Sequence, residues 1–364
     1  MEFDLNLILV PATLVLLFAW LIDKFILKKH KLVNQHSRLI DLANSHLEKT
    51  KKEFSDALVK TGHAPAPDEF IVHEHTPKSL KNLNVAYQQA RQSLIHAQGG
   101  VDKVLPKEPL LVRWAYEYLP ILLIILLVRS FVVEPFNIPS SSMVPSLYTG
   151  DFILVNKASY GLKLPLTHTK ILSTGSPKHG DVVVFRYPLN EKRYYIKRMI
   201  GLPGDTVAFD NGVLTINGTK VETTLADYQM PQALQDTLFQ RQIGQHRLTD
   251  DERSHLGRTE EQNANYYQEK LGEHSYKVRY LKEALDYVPQ FIAKESAVNS
   301  QTKWQITVPE GHYFVMGDNR DRSEDSRYWG LVPEKNLAGR ASYIWMHKNE
   351  GFSIPSFGRV GKID

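Results

Sequence analysis

The apolar residues of this chain fall into two long stretches near the N-terminus, followed by a region of short apolar runs separated by polar residues. The first stretch, Leu5 to Leu27, is long and apolar enough to predict a transmembrane helix. A cleaved signal peptide is the competing interpretation, but Glu2 and Asp4 occupy the region where such a peptide carries positive charge. We therefore predict a membrane span over residues 5–27.

The second apolar stretch needs more argument, because its unbroken run from Leu119 to Val128 has only 10 residues. That length alone is typical of a buried core helix. However, Trp114 and Tyr118 supply the aromatic flank that is common at a membrane interface, and residues 114–133 would form about 30 Å of helix. We therefore predict a second transmembrane helix over residues 114–133.

Residues 28–113, between the two spans, carry 14 Lys and Arg against 9 Asp and Glu, a net charge of +5. Positively charged loops remain in the cytoplasm, which places the N-terminus and everything after about Glu134 on the opposite side. Apolar residues recur at helical spacing from Leu32 to Leu58 and from Leu80 to Ile95, with a Pro-rich turn between them. We predict two amphipathic helices here, more readily explained as a solvated spacer than as a dedicated partner site.

After about Glu134 the apolar period changes from helical to two, which predicts an antiparallel, mostly β domain over residues 134–364. Asn211-Gly212 and Asn217-Gly218 are typical hairpin turns. Residues 222–303 are polar, partly helical in pattern and without β alternation, so they are predicted to be an insertion that splits the domain. The predicted strands are Asp151–Lys157, Asp181–Arg186, Tyr194–Ile200, Trp304–Val308, His312–Met316 and Ala341–Met346.

Composition narrows the functional classes. The 364 residues are 42% apolar and 23% charged, which is typical of a folded chain of two or three domains. The absence of cysteine excludes disulfides, zinc–thiolate sites and thiol chemistry. The net charge of +4 is modest, and no basic stripe is interleaved with aromatics, so we expect no nucleic-acid partner.

The first candidate for chemistry is the run from Pro135 to Pro145, which follows the second predicted span. Its three prolines restrict the backbone and remove three donors, so the run is predicted to be an extended, preset loop. Ser140, Ser141 and Ser142 lie within it. A solvated Ser-rich linker is the ordinary interpretation of such a run, and the other motifs decide against it.

The second candidate is Lys197, in the middle of an apolar strand. Because side chains alternate along a strand, either Lys197 or Arg198 must face the packed side. If it is Lys197, burial lowers its pKa, since desolvation disfavours the ammonium form. A neutral amine can then act as the general base for a hydroxyl nucleophile.

The third candidate is the polar loop of residues 317–327. An EF-hand beginning at Asp321 would need Gly and Glu where this chain has Ser326 and Val332, so the calcium interpretation fails, and we predict no metal site. Asp325 and Arg327 could instead pair and hold the loop's shape. The chain contains no Gly-x-Ser-x-Gly elbow, and Pro145 stands where a Ser-x-x-Lys motif would need lysine.

These motifs together closely resemble bacterial signal peptidase I, the leader peptidase. The resemblance covers roughly residues 128–346 without the insertion, and the two-span topology agrees with the Gram-negative form. It is carried, in order, by Ile138-Pro139-Ser140-Ser141-Ser142-Met143 with Pro145, by Gly180-Asp181-Val182-Val183-Val184-Phe185, by Tyr195-Ile196-Lys197-Arg198 with Gly201-Leu202-Pro203-Gly204-Asp205, and by Gly317-Asp318-Asn319 with Ser323, Asp325, Ser326 and Arg327.

The resemblance implies roles for individual residues. Ser142 would be the nucleophile and Lys197 the general base, with Tyr195 beside it. The Ser140 hydroxyl and the Ser142 amide would form the oxyanion hole. The polar loop would support the dyad, with one residue orienting the lysine and two bracing the loop: Ser323, Asp325 and Arg327.

The resemblance also implies the fold and the substrate. It indicates a barrel-like β core with a β-rich cap that corresponds to the insertion, and it requires no cofactor. Phe136, Ile138 and Ile196 would line shallow pockets that accept the small side chains of an Ala-x-Ala cleavage site. The partners would be signal-peptide-bearing preproteins, membrane lipid and the translocation machinery. The chain would lie at the inner membrane, with the catalytic domain in the periplasm.

Two alternatives remain at this point. A membrane-tethered β module that only binds a partner would use the same hydroxyls and lysine as structure. A self-cleaving repressor of the related Ser-Lys type is disfavoured by the two spans and by the lack of a DNA-binding domain. The distance between Ser142 Oγ and Lys197 Nζ decides between peptidase and binding module, because a binding module does not need a buried lysine opposite a serine.

Overall fold

The structure is a computed structural model that describes residues 6–104, 109–239, 242–243, 246–283, 289–296, 303–349 and 351–364. Parts of four predicted segments lie outside these described residues: residue 5 of the first span, residues 105–108 of the basic loop, residues 240–241, 244–245, 284–288 and 297–302 of the insertion, and residue 350 of the β domain. The chain divides into two compact units at about residue 124, and each is described by itself.

The N-terminal unit is helical. Helix α1 (Asn6–Ile22) ends in a π-helical turn, Asp23–Leu27, and α2 (Lys29–Lys60) begins after Lys28, which adopts the left-handed conformation. Helix α3 (Lys78–Val104) precedes α4 (Leu110–Leu127), which continues as a π-helical turn over Val128–Val132.

Two of these helical segments, Asn6–Leu27 and Leu110–Val132, are long and apolar enough to cross a membrane. Small and branched side chains join α1 to α4, with Leu16 and Ala19 of α1 packed against Ala115 and Leu119 of α4. Most of the remaining apolar side chains of both helices are exposed, which is the pattern expected where lipid rather than protein covers a helix.

Helices α2 and α3 form a pair in the range of the predicted basic loop. Phe54 and Leu58 of α2 are buried against Leu80 and Tyr87 of α3. The Tyr87 hydroxyl donates a hydrogen bond of 2.5 Å to Asp68, which lies in the connection between the two helices. The apolar period read from the sequence corresponds only in part to the face that each helix presents to the other, because Leu32 and Ile95, at the outer ends of the pattern, are exposed.

The C-terminal unit is mostly antiparallel β-structure with short helices. Its main sheet has the strand order β1-β2-β18-β5-β6-β16-β17, and β19 adds to β18. The helices are α5 (Gln232–Gln235), α6 (Asp250–Gln262), α7 (Gln290–Glu295) and α8 (Ser326–Trp329). The strands are β1 (Val133–Asn137), β2 (Asp151–Asn156), β3 (Leu162–Lys163), β4 (Lys170–Leu172), β5 (Val182–Tyr187), β6 (Asn190–Gly201), β7 (Thr206–Asp210), β8 (Val213–Ile216), β9 (Thr219–Lys220), β10 (Glu222–Leu225), β11 (Gln242–Ile243), β12 (His246–Arg247), β13 (Ala264–Leu271), β14 (His274–Leu281), β15 (Lys303–Thr307), β16 (His312–Met316), β17 (Val332–Pro333), β18 (Leu337–His347) and β19 (Gly361–Lys362).

A second sheet has the order β15-β7-β8-β9. Its two hairpins turn at Asn211-Gly212 and Asn217-Gly218, where all four residues have positive φ, as a two-residue turn between twisted strands requires. All six strands predicted from the sequence form within two or three residues of the expected ends, apart from longer versions of β6 and β18.

The inserted segment forms strands although its sequence shows no β alternation. Strands β10, β13 and β14 form a three-stranded antiparallel sheet, accompanied by α6. The alternation is hidden in the sequence because charged residues, Glu269 and Arg279, occupy fully buried positions of β13 and β14. They are buried as ion pairs, so a pattern based on apolar residues does not detect these strands.

Strand β6 crosses the middle of the main sheet and is covered on both sides. Ile196 belongs to an apolar cluster with Ile138, Met143 and Ile153, whereas Met199 belongs to one with Val183 and Val315. As a result both Lys197 and Arg198 are buried, although strand alternation requires only one of them to face a packed side.

Candidate active site

Ser142 lies in a short 3₁₀ turn, Ser141–Met143, between β1 and β2. The turn is held by its neighbours: the Ser142 carbonyl accepts a hydrogen bond of 3.1 Å from the Asn319 backbone N–H, and the Ser141 carbonyl accepts one of 3.0 Å from the Asn319 side chain. The Ser141 hydroxyl donates to the carbonyl of Leu238 in the insertion. Ser142 is 8% exposed, and these hydrogen bonds hold the turn that carries its hydroxyl in place.

Lys197 projects from β6 toward this turn. Its Nζ lies 2.7 Å from Ser142 Oγ and 2.9 Å from the carbonyl oxygen of its neighbour Ile196, and the residue is only 4% exposed. The ring of Tyr195 lies 5.7 Å from the amine. Residues 55 positions apart in the chain therefore meet at hydrogen-bond distance, which the sequence could suggest only through the motifs.

Burial controls the protonation of this amine. Desolvation lowers the pKa of Lys197 from 10.5 to about 8, while the negative charges of Asp325, Asp318 and Glu324 oppose the shift. A large fraction of the amine is consequently neutral at mildly alkaline pH, when it can accept a proton from a hydroxyl 2.7 Å away.

The Ser140 hydroxyl lies 3.4 Å from Ser142 Oγ, on the same turn. Residue 140 has extended backbone and precedes the 3₁₀ turn, so its side chain and that of Ser142 face a common space. If Ser142 attacks a carbonyl carbon, the Ser140 hydroxyl is close enough to donate a hydrogen bond to the oxygen of that carbonyl.

The loop of residues 317–327 packs beside the dyad. Asp325 accepts two hydrogen bonds of 2.8 Å from the Arg327 guanidinium and one of 2.9 Å from the Gly317 N–H. Burial alone would raise the pKa of Asp325, but the charge and hydrogen bonds of Arg327 hold it below its ordinary value. Gly317 must lack a side chain, because a Cβ there would overlap the Ser142 carbonyl and the Ser323 side chain.

Ser323 is buried in this loop, and its hydroxyl has no hydrogen-bond partner within the part of the chain that the structure describes. The contacts of Lys197 Nζ are Ser142 and Ile196. The expected role of Ser323 in orienting the lysine therefore stays a prediction.

The three residues expected to contact substrate share one apolar cluster. Ile138 and Ile196 are buried in it, and the half-exposed ring of Phe136 packs against it and against Tyr194, at 5.3 Å between ring centroids. These side chains lie on β1, the turn and β6, the same elements that carry Ser142 and Lys197.

Sequence reasoning missed a buried ion pair directly behind the dyad. Arg198 donates to both carboxylate oxygens of Asp318, at 2.8 and 2.7 Å, and to the Gly180 carbonyl. Ser146, four residues after Ser142, donates to the same carboxylate. The sequence does contain a sign of this ion pair, because Arg198 is a second charged residue in an apolar strand. Only the fold shows that the partner of Arg198 is Asp318.

A second missed contact comes from the insertion. Arg279 of β14 is fully buried, and its guanidinium donates to Oδ1 of Asn319 and to Glu260, each at 3.2 Å. The backbone N–H of Arg279 donates to the Asp318 carbonyl at 2.8 Å. Because Asn319 holds the Ser141 and Ser142 carbonyls, Arg279 orients a side chain that supports the 3₁₀ turn of Ser142.

Comparison with known proteins adds a sequence relationship to this geometry. Residues 111–346 match the family described as "Signal peptidase, peptidase S26". The chain belongs to this peptidase family. Among its relatives are the signal peptidase I of Pseudomonas aeruginosa, 41% identical over 71% of this chain and 81% of the relative, and that of Pseudomonas fluorescens, 42% identical over 78% and 93%.

A solved signal peptidase I from Enterococcus faecalis is 27% identical and covers 46% of this chain and 97% of its own, with a TM-score of 0.24 that supports no argument about the fold. The match to the signal peptidase family begins at α4 and ends within β18, so it includes the turn of Ser142, strand β6 and the 317–327 loop. It leaves α1, α2 and α3 outside. Among the described residues there is no group of three metal-ligating side chains.

Proposed function

We propose that this chain is a membrane-bound serine endopeptidase that removes N-terminal signal peptides from exported preproteins. The observation that carries the proposal is the buried amine of Lys197 at 2.7 Å from Ser142 Oγ, with a pKa lowered to about 8. A non-catalytic binding module gains nothing from burying a lysine against a serine, since the desolvation of the amine costs stability. Membership of the signal peptidase family supports the same reaction.

In the proposed mechanism, neutral Lys197 takes the proton of Ser142 as Oγ attacks the scissile carbonyl carbon. The Ser142 N–H and the Ser140 hydroxyl donate to the oxyanion that forms. The Lys197 ammonium then gives its proton to the leaving amine, and an acyl-enzyme on Ser142 remains. Lys197 next deprotonates a water molecule, which hydrolyses the ester and regenerates the dyad.

Supporting residues hold this arrangement. Asp325 and Arg327 keep the loop beside Lys197 in shape, and Tyr195 covers one side of the amine. We propose that Ser323, buried with an unpaired hydroxyl, accepts a hydrogen bond from the lysine when it is protonated. Each role depends on contacts formed by different strands and loops.

For the substrate, we propose cleavage after small residues in an Ala-x-Ala pattern. Ile138 and Ile196 are already packed in the core, and Phe136 covers the edge of that cluster, so the surface next to Ser142 offers shallow apolar contacts. Small side chains fit such a surface without displacing core residues, whereas large ones would require repacking.

We further propose that α1 and α4 cross the inner membrane. The basic segment 28–113 then lies in the cytoplasm and residues 134–364 in the periplasm, with residues 222–303 as a cap on the catalytic domain. Preproteins would reach the site along the membrane, and contact with the translocation machinery fits this placement. Protease added outside spheroplasts should cut residues beyond 134 and spare 28–113, and the reverse pattern contradicts the orientation.

The catalytic assignment is tested with purified full-length Ser142→Ala and Lys197→Ala in a preprotein cleavage assay. Both variants should lose cleavage while retaining wild-type circular dichroism. Lys192→Ala is the matched control, because Lys192 lies on the same strand β6 but is exposed. Near wild-type turnover by either dyad variant would refute the assignment.

A further inference from the structure

The N-terminal unit contains a cavity of about 540 Å³ that the peptidase reaction does not use. It lies where the π-helical end of α1 meets the first turns of α2 and the start of α4. In the proposed topology both spans reach the cytoplasmic surface at this level, so the cavity is at the depth of the lipid headgroups.

The lining of the cavity is strongly cationic. Lys24, Lys28, Lys31 and Arg38 contribute four positive charges, and Asp23 is the one carboxylate among the described residues that line the cavity. The amine of Lys24 lies 4.2 Å above the ring of Trp20. Lys28, Lys31 and Arg38 form no ion pair within the described ranges of the chain, so their charge is not compensated by a protein carboxylate.

The carboxylate of Asp23 is already engaged by backbone donors. Asp23 is fully buried and accepts hydrogen bonds from the backbone N–H groups of Lys29 and His30, at 3.0 and 3.2 Å. It thereby caps the N-terminus of α2 and offsets the positive end of that helix. Its negative charge is used inside the protein, which leaves the excess positive charge facing the cavity.

One wall of the cavity is rigid and aromatic. The rings of His30 and Tyr116 stack at 3.5 Å, and the Tyr116 hydroxyl lies 3.3 Å from the Asp23 carboxylate. Trp20 lies on another side. Aromatic rings beside cations at the end of an apolar helix are the surroundings in which a phospholipid places its glycerol and headgroup.

We propose that this cavity binds the phosphate-bearing headgroup of an anionic phospholipid of the cytoplasmic leaflet. The inference rests on the proposed placement of α1 and α4 in the membrane and does not depend on the dyad. Lys31 and Arg38 are seven residues apart on α2 and therefore share the helix face that lines the cavity. The shared chemistry is a phosphate ester anion held by ammonium and guanidinium groups.

The test measures lipid binding to the full-length protein in neutral detergent by native mass spectrometry. Phosphatidylglycerol and phosphatidylcholine of identical acyl chains are compared for the wild type, for Lys31→Gln/Arg38→Gln and for Lys49→Gln/Lys52→Gln. The last pair removes the same charge from α2 at exposed positions about 16 Å or more farther along the helix. Glutamine keeps helix propensity close to that of lysine and arginine, and circular dichroism checks the helix content.

The wild type and the Lys49/Lys52 control should prefer phosphatidylglycerol, and the Lys31/Arg38 variant should bind it about fivefold more weakly for each cation removed. Equal weakening in both variants would assign the preference to general surface charge and overturn the proposal. An unchanged Lys31/Arg38 variant would also overturn it.

Competition with inorganic phosphate and glycerol 3-phosphate distinguishes the source of the anion. If neither compound displaces the lipid at millimolar concentration, the site recognises a lipid headgroup. If either compound displaces it with an affinity similar to that of the lipid, the site binds a soluble phosphate and the lipid proposal is overturned. Peptidase activity is not a readout in any arm. A negative result in the lipid-binding test therefore does not affect the catalytic assignment. If the catalytic assignment proves wrong, the lipid-binding test remains valid.

Discussion

The acid limb of the pH–activity profile gives the sharpest test of Lys197 as general base. With a pKa of about 8, about a hundredth of Lys197 is neutral at pH 6, about a tenth at pH 7 and about nine tenths at pH 9. An unshifted lysine, with a pKa near 10.4, would be neutral in only about one molecule in 2,500 at pH 7. Burial therefore increases the active fraction at pH 7 by roughly two orders of magnitude.

The sign of the dependence follows from the charge. Only the deprotonated amine can accept the Ser142 proton, so kcat/KM should rise about tenfold from pH 7 to pH 9 and then level off. The assay is kcat/KM for a signal-peptide substrate from pH 5 to pH 10, with circular dichroism at both ends to confirm that the fold persists. A profile that stays flat down to pH 5.5, or a half-maximum near pH 10, would refute the reasoning.

A single charge change sharpens the same test. The exposed carboxylate of Glu324 raises the pKa of Lys197, so Glu324→Gln should move the acid limb toward lower pH by a fraction of a pH unit. Glu222→Gln removes an equal charge from an exposed position of β10 and should leave the limb in place. A shift toward higher pH in Glu324→Gln would contradict the electrostatic account.

Other predictions concern stability and positioning. Lys197→Met should be inactive yet more stable, because burying the amine costs about 3 kcal/mol at pH 7. Its Tm should rise by several degrees in thermal unfolding, and a fall would contradict the desolvation argument. Glu269→Gln should lower Tm by roughly 10 °C, since it leaves the Arg320 guanidinium buried without its partner; a change within about 2 °C would show that the pair is dispensable. Arg279→Met should lower kcat more than it raises KM, because Asn319 loses the hydrogen bond that orients it while the substrate surface is unchanged. A pure KM effect in steady-state kinetics would place Arg279 elsewhere in the reaction.

The burial of charge in the insertion explains why sequence reasoning was least informative there. Glu269 of β13 and Arg279 of β14 are fully buried but read as surface residues in a polarity pattern, so these two strands were not predicted. Their ion-pair partners, Arg320 and Glu260, lie 51 and 19 residues away in the chain. A buried ion pair is tolerated only when both charged side chains are buried next to each other, and the sequence around one of them does not show where its partner lies.

The sequence by itself determined much of the local structure and the residues of the proposed dyad. The two apolar helices, the strands, the Asn-Gly turns and the proline-bounded serine loop follow from short-range patterns, because hydrophobic period and backbone restriction act over a few residues. The motifs also designated Ser142 and Lys197. Only the tertiary structure shows that these two side chains lie 2.7 Å apart and that both faces of β6 are covered. It also shows that Asn319, oriented by Arg279, holds the turn of Ser142. Distance, desolvation and ion pairing are properties of chain segments brought together from far apart, and the shifted pKa of Lys197 exists only after that packing has formed.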